Sequence, residues 1–277
     1  MQSFRGASIV IKYGGSAMVE PQLRTSFAHD IVLLKHIGIN PVVVHGGGPQ
    51  IAKTLEQMNI KTSFINGFRV TDAKTLDVVE MALVGKVNKE IVTQLNLAGG
   101  RAVGLSGKDG NLIHAEKMFI EQLLPEFKRP EIIDIGMVGK VKKVDINIIE
   151  LLENGGYIPV IAPVGCGSDG SAYNINADFV ASAVASALKA EKLILLTDTE
   201  GVLDPDGNLI QKLSESGAKE MIASNDIKDG MLPKVRACLD GLSDGIKQTH
   251  IIDGRVKCAT LLEIFTDTGV GTEIIIN

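Results

Sequence analysis

The stretch "VVVHGGGPQ", residues 42–50, decides how this chain is read. A run of valines ends in His45, three glycines follow, and Pro49 comes next. β-Branched residues in an uninterrupted apolar run read as a buried strand. Glycine loses more backbone freedom on folding than any other residue, so three in succession need a reason. Glycines between a strand and a helix expose backbone N–H groups that bind an oxyanion together with the helix N-terminus. For a single glycine pair a tight turn that needs positive φ is the better explanation; two such turns in one sheet, one beginning at a strand-end lysine, favour the anion site.

Working outward, the same pattern returns. "SIVIKYGG" (8–15) is a short apolar run that stops at Lys12 and two glycines. Leu105-Ser106-Gly107 and Thr197-Asp198 end two more apolar runs. Ligands of an open parallel sheet sit beyond the carboxyl ends of its strands. The glycine-lined termini are therefore predicted to converge on one edge that takes a phosphoryl group or a carboxylate.

Helical spacing separates these strands. Leu23, Phe27, Ile31, Leu34 and Ile37 recur on one face before Gly38. The longest periodic segment, 72–97, carries Leu76, Val79, Leu83, Val87, Ile91 and Leu95 on one face, with Val78, Met81, Val84 and Val92 outside that stripe. A helix apolar nearly all round is covered on more than one side. "NINADFVASAVASALKA" (174–190) reads as a small-residue helix, and "GMLPKVRACLDGLSDG" as one interrupted early by Pro233. Segments 112–120 and 130–141 read as hairpin material, and "QTHIIDG" and "GTEIII" as the strands that close the sheet. Strand and helix alternate throughout, which predicts an α/β fold with a mainly parallel sheet and helices on both faces.

The 277 residues suffice for one large α/β domain or two lobes. Formal net charge is −5, aromatics are 4 % and Trp is absent, so nothing points to nucleic acid as a partner. No apolar run approaches a bilayer span, and the expected setting is cytoplasmic with no membrane partner. Cys166, Cys238 and Cys258 have no metal-ligand or disulfide spacing and read as small buried apolar residues. The five histidines show no triad or metal spacing. The Walker A pattern is absent, since "GLSGKDG" (104–110) has the wrong spacing, and the protein-kinase signature set is missing too.

"KYGGSA", "VVVHGGGP", "NGFRVTD", "LSGKDG", "YNINAD", "LLTDTEGV" and "DGMLPKV" stand in an order that resembles the amino acid kinase family, over nearly the whole chain. The order is similar to that of the branch phosphorylating N-acetyl-L-glutamate with ATP in arginine biosynthesis. The resemblance implies a three-layer αβα sandwich in two lobes. Residues 1–177 would hold the amino acid substrate and the dimer contact, and residues 178–277 would hold ATP. It implies that Lys12 bridges the phosphoryl group in transfer, that Lys234 neutralises the departing phosphates, and that Asp178 orients both lysines. Gly47 and Gly48 would bind oxygens of the accepting carboxylate or the moving phosphoryl group, and Gly15 those of the nucleotide. Arg69 and Asn174 would hold the substrate α-carboxylate, for which a planar guanidinium fork is well shaped. Thr197, Asp198, Gly201, Gly230 and Met231 would line the nucleotide. Mg²⁺ is implied by ATP chemistry, held mostly by phosphates, with no protein metal ligand expected.

Plainer readings stand beside these. Arg69 and Lys234 taken alone are solvated charges, and Asn174 also reads as the N-cap of the following helix, with Asp178 one turn on. Two rival functions remain: a kinase for a related derivative such as carrier-linked aminoadipate, and a catalytically silent ligand-binding regulator. A homodimer is expected, with any regulatory protein partner unknown. The ending, 250–274, is similar to that of arginine-inhibited family members, with Glu263 a plausible arginine partner. Only about seven residues precede Ser8, under two helical turns, where those members carry an extra ring-forming helix. Weak or absent arginine inhibition and no hexameric ring are therefore expected.

Overall fold

The computed structural model describes residues 4–123, 130–266 and 269–276. Its main sheet has eight strands. In chain order they are β1 (Ser8–Tyr13), β2 (Asn40–His45), β5 (Ala102–Ser106), β8 (Ile158–Ala162), β11 (Lys192–Thr197), β12 (Lys212–Ser214), β13 (Gln248–Asp253) and β14 (Gly271–Ile275). The remaining strands are β3 (Phe64–Ile65), β4 (Phe68–Arg69), β6 (Ile113–Leu123), β7 (Pro130–Val144), β9 (Val164–Cys166) and β10 (Ala172–Asn174). The helices are α1 (Pro21–His36), α2 (Gly48–Gln57), α3 (Ala73–Glu80), α4 (Asn88–Leu97), α5 (Asn147–Asn154), α6 (Ala177–Leu188), α7 (Glu215–Ala223), α8 (Met231–Ser243) and α9 (Ala259–Phe265).

Across the main sheet the order is β12-β14-β13-β11-β1-β2-β8-β5. Every pairing in it is parallel except β13 with β14. Side chains alternate across a strand, and β1 shows what that does. Ile9, Ile11 and Tyr13 enter a core shared with α1, α4 and α9. Val10 enters the opposite core, which contains residues of α6 and α8. Two cores on two faces make the three-layer αβα sandwich that the alternation predicts.

Several details differ from the sequence reading. Segment 72–97 is not one regular helix: a π segment, Met81–Val87, joins α3 to α4. The apolar residues outside its stripe are only partly free. Val78 is buried inside the subunit, Met81 is exposed, and Val84 and Val92 are half-buried. Pro233 does not interrupt α8. It is the third residue, in the first turn, where the missing N–H has no intrahelical partner to lose. The 174–190 helix begins only at Ala177, and Asn176 caps it by accepting from the Asp178 amide at 2.8 Å, so Asn174 ends β10 instead. The hairpin over 111–144 is β6 with β7, and with β9 and β10 it closes into a small barrel. Short β12, beyond β14, forms one sheet edge. Of the cysteines only Cys238 is buried; Cys166 is half-buried and Cys258 exposed.

Candidate active site

Lys12 lies near the carboxyl end of β1, on the same face as Val10. That face is covered by α6, whose first turn carries Asp178. Lys12 Nζ lies 3.0 Å from Asp178 Oδ1, and Lys234 Nζ of α8 lies 2.9 Å from Oδ2. Small residues along α6 (Ala181, Ser182, Ala185) let it pack closely on β1 and α8, so three distant segments meet at one carboxylate. Lys12 and Asp178 are 7 % and 4 % exposed. Burial opposes ionisation of Asp178, but the two ammonium groups outweigh it and hold the carboxyl below its ordinary value. Burial lowers the pKa of Lys12, with Asp178 opposing the shift and Lys234 adding to it. Asp178 Oδ1 receives no aligned hydrogen bond, so Lys12 meets it as an ion pair alone.

A cavity opens on Lys12 and Asp178, while Lys234 stands behind Asp178 and is not in its lining. Its lining includes Lys12, Gly14, Gly15, Gly47, Gly48, Arg69, Asn174 and Asp178. The backbone N–H groups of Gly14, Gly15, Gly47 and Gly48 donate to no acceptor among the described residues and side chains. Unpaired donors at strand ends beside two lysines form a receptor for oxyanions.

The glycines are there for different reasons. A Cβ on Gly14 would come within 2.6 Å of Lys12 Nζ, so its absence lets the lysine fold back over the turn. A Cβ on Gly47 would lie 2.5 Å from Leu83 in the π segment. A side chain there would have to displace the Leu83 methyl group. Gly48, the first residue of α2, faces open space, and Gly15 has φ +68 and abuts the backbone of Thr197 and Asp198.

Arg69 is 7 % exposed, yet no described carboxylate lies within ion-pair distance of it. It donates to Thr62 Oγ1 (3.1 Å) and the Gly48 carbonyl (3.4 Å), and its guanidinium lies 4.6 Å from the Phe64 ring centroid. A buried cation without an anion is costly, so Arg69 calls for an anionic ligand. The hairpin that presents it turns on Asn66 and Gly67, both at positive φ (49° and 82°), as a two-residue type I′ turn requires. An Asn-Gly pair between two Phe-containing strands is a signal the sequence reading passed over. Asn176, the true cap, also lines the cavity and was missed.

Other expected residues lie elsewhere. Ser106 donates its amide and hydroxyl to Asp109 Oδ2, and β5 is the sheet edge, so the "GLSGKDG" turn satisfies itself and lines no part of the cavity. Thr197, Asp198, Gly201, Gly230 and Met231 are not in its lining. Gly201 packs against Thr272 and Leu209, and Met231 against the α6–α8 core. Among the described residues no group of three His, Cys, Asp or Glu side chains is gathered for a metal. Both oxygens of Asp178 face lysines.

Residues 7–253 match the model of the amino acid kinase family. A protein of Syntrophobacter fumaroxidans named acetylglutamate kinase is 56 % identical over 275 residues, 99 % of this chain and 92 % of that one. An acetylglutamate kinase of Syntrophus aciditrophicus is 55 % identical over 276 residues, 100 % of this chain and 93 % of its own. Among solved structures, N-acetylglutamate synthase from Neisseria gonorrhoeae, complexed with coenzyme A and N-acetyl-glutamate, superposes with TM-score 0.82 at 24 % identity, covering 99 % of this chain and 60 % of that one. That last likeness concerns the fold alone.

Proposed function

The chain belongs to the amino acid kinase family, and from that premise we infer that it uses ATP to phosphorylate the side-chain carboxylate of N-acetyl-L-glutamate, giving N-acetyl-L-glutamyl 5-phosphate in arginine biosynthesis. One observation carries the reading: Asp178 held between Lys12 and Lys234, at a cavity with four unpaired glycine amides. Phosphoryl transfer asks a protein for in-line positioning and positive charge rather than covalent help. A substrate carboxylate oxygen bonds to the γ-phosphorus as that phosphorus leaves the β–γ bridging oxygen, yielding the acyl phosphate and ADP. The attacking carboxylate is already ionised near neutral pH, so no general base is required.

Lys12, beside the glycine turns, accompanies the moving phosphoryl group, and Lys234, at the start of α8, meets the charge left on ADP. Asp178 keeps both lysines aimed. The amides of Gly47 and Gly48 bind phosphoryl or acceptor oxygens, and Arg69 with Asn174 takes the α-carboxylate. The nucleotide lies over residues 178–277, near Thr197, Asp198, Gly201, Gly230 and Met231, with Gly15 at the junction. The amino acid lies over residues 1–177. Mg²⁺ would be held by the nucleotide phosphates and would neutralise part of their charge there.

Turnover of ATP with N-acetyl-L-glutamate, L-glutamate, N-acetyl-L-aspartate and carbamate, with the acyl phosphate trapped by hydroxylamine, tests the reading. Equal or greater turnover of another acceptor overturns the substrate assignment. The assembly proposed is a homodimer through segment 72–97, supported by the exposure of Met81 and the partial burial of Val84 and Val92 along it. A monomer in sedimentation at micromolar concentration removes it.

A further inference from the structure

Behind the glycine loop lies a hydrogen-bonded pair that no step above uses. His45 ends β2 and Asn88 begins α4; both are 0 % exposed, and neither lines the cavity. His45 Nδ1 lies 2.8 Å from the Gly46 carbonyl oxygen, and its Nε2 lies 3.1 Å from Asn88 Nδ2. These contacts agree with one neutral tautomer: Nδ1–H donates to Gly46, and Nε2 accepts from the Asn88 amide. Burial keeps the ring neutral, pushing its pKa down to about 4.

The orientation of Asn88 is itself fixed. Its Nδ2 donates to the Val160 carbonyl at 2.9 Å and approaches that of Leu105 at 3.3 Å. Its Oδ1 accepts from Lys89 Nζ at 3.0 Å. A flipped amide would set its oxygen against two carbonyls and its nitrogen against an ammonium. Room for Asn88 comes from Gly104, where any Cβ would overlap Oδ1.

The consequence reaches the cavity through one peptide unit. In a trans peptide the C=O of one residue and the N–H of the next point opposite ways. Holding the Gly46 oxygen toward His45 turns the Gly47 N–H away from it, and that N–H is one of the unpaired donors. The Gly46 N–H is held in turn by the Tyr13 carbonyl at 2.8 Å. We propose that Asn88 and His45 are positioning residues that aim the Gly47 amide at the oxyanion of the phosphoryl-transfer reaction. The proposal rests on the kinase reading for its rate consequence but not for its geometry.

Two measurements test it. Asn88→Leu and His45→Leu are expected to lower kcat by about tenfold or more while the KM for ATP stays within about twofold; losing one oxyanion donor outright costs roughly 10²- to 10³-fold, and misaiming it costs less. His45→Asn keeps a donor near the Nδ1 position and is expected to recover most of kcat. The second readout needs no turnover: hydrogen–deuterium exchange of peptides covering 42–55, with and without inorganic phosphate. Phosphate is expected to slow exchange in the wild type and in His45→Asn, but not in the leucine variants. Wild-type kcat in the folded leucine variants, or equal phosphate protection in all forms, overturns the proposal, as does absence of protection in the wild type. If the leucine variants do not fold, His45→Asn decides: loss of its kcat and protection sinks the idea. Should the wild type phosphorylate none of the acceptors, the kinase reading falls and the exchange experiment still judges the positioning.

Discussion

Two clusters of buried charge sit toward opposite ends of the same mainly parallel sheet. At the carboxyl end, Lys12 of β1 and Lys234 share Asp178 beside a cavity. At the amino end, Lys192 begins β11, donating to Gln248 Oε1 at 2.5 Å and lying 3.1 Å from His250 Nε2. There His250 Nδ1 lies 2.7 Å from Glu263 Oε1, and Glu263 Oε2 accepts from the Val270 amide at 2.7 Å. Gln248 passes the chain on to Glu273 at 2.6 Å. Both clusters bury a lysine and a carboxylate. The difference is in what stays unmatched. The amino-end groups are matched to one another, whereas the carboxyl-end cluster has excess positive charge, an ion-paired oxygen without a hydrogen bond, and idle amides around it. Burial of charge alone does not mark a site; an unmatched surplus facing a cavity does. Glu263, expected as an arginine partner, is already engaged with His250 and Val270.

The largest effect expected separates the two ends outright. Lys12→Ala and Lys234→Ala should each lower kcat by about 10²-fold or more, since each removes a preorganised charge from the transition state. Circular dichroism should show the fold intact. Near-normal turnover in either variant takes that lysine out of the mechanism.

Next comes the unpaired cation. Arg69→Lys should raise the KM for the amino acid substrate by about tenfold and leave that for ATP nearly unchanged, because a point charge replaces a planar fork. Loss of ATP affinity with the acidic substrate unaffected would reverse the assignment of the two lobes.

A change at the amino end should be felt in stability and not in rate. Glu263→Gln is expected to cost about 1–3 kcal/mol by weakening charge-assisted hydrogen bonds, with kcat within about twofold. Thermal melts and steady-state kinetics on one preparation check this. A large fall in kcat with an unchanged melting temperature would mean that the two ends are functionally coupled.

The smallest effect is a pH signature. Burial works against the Glu263 carboxylate, but His250 and the Val270 amide outweigh it and hold its pKa below the ordinary 4.5. A carboxyl depressed in the folded state contributes stability that is present above its unfolded value and lost as pH falls through the folded one. The melting-temperature gap between wild type and Glu263→Gln should therefore be full above about pH 5 and shrink on acidification. A gap that widens on acidification contradicts the assignment.

Much of this was legible in the chain. Valine runs, helical spacing and glycine stops are local patterns with a fixed period, so strand, helix and their alternation followed from them, and with them the sandwich. Lys12 between an apolar run and two glycines stood out for the same reason. The cap was misplaced by two residues because "NINAD" contains two asparagines, and only the backbone distinguishes Asn176 at the helix start from Asn174 in a strand. The π segment was invisible because one extra residue per turn leaves no compositional mark, yet it brings Leu83 against Gly47.

By itself, then, the sequence determined the period and polarity of each element, and so the layers, the mainly parallel sheet and the edge where glycine turns gather. The family resemblance had already grouped Lys12, Asp178 and Lys234; only the tertiary structure gives the geometry in which these charges meet. The union of Lys12, Asp178 and Lys234 spans three elements far apart in the chain, as does that of His45 and Asn88 behind the loop. Such contacts depend on strand order and helix packing, set by burial summed over two whole cores, and no local window of sequence records that sum.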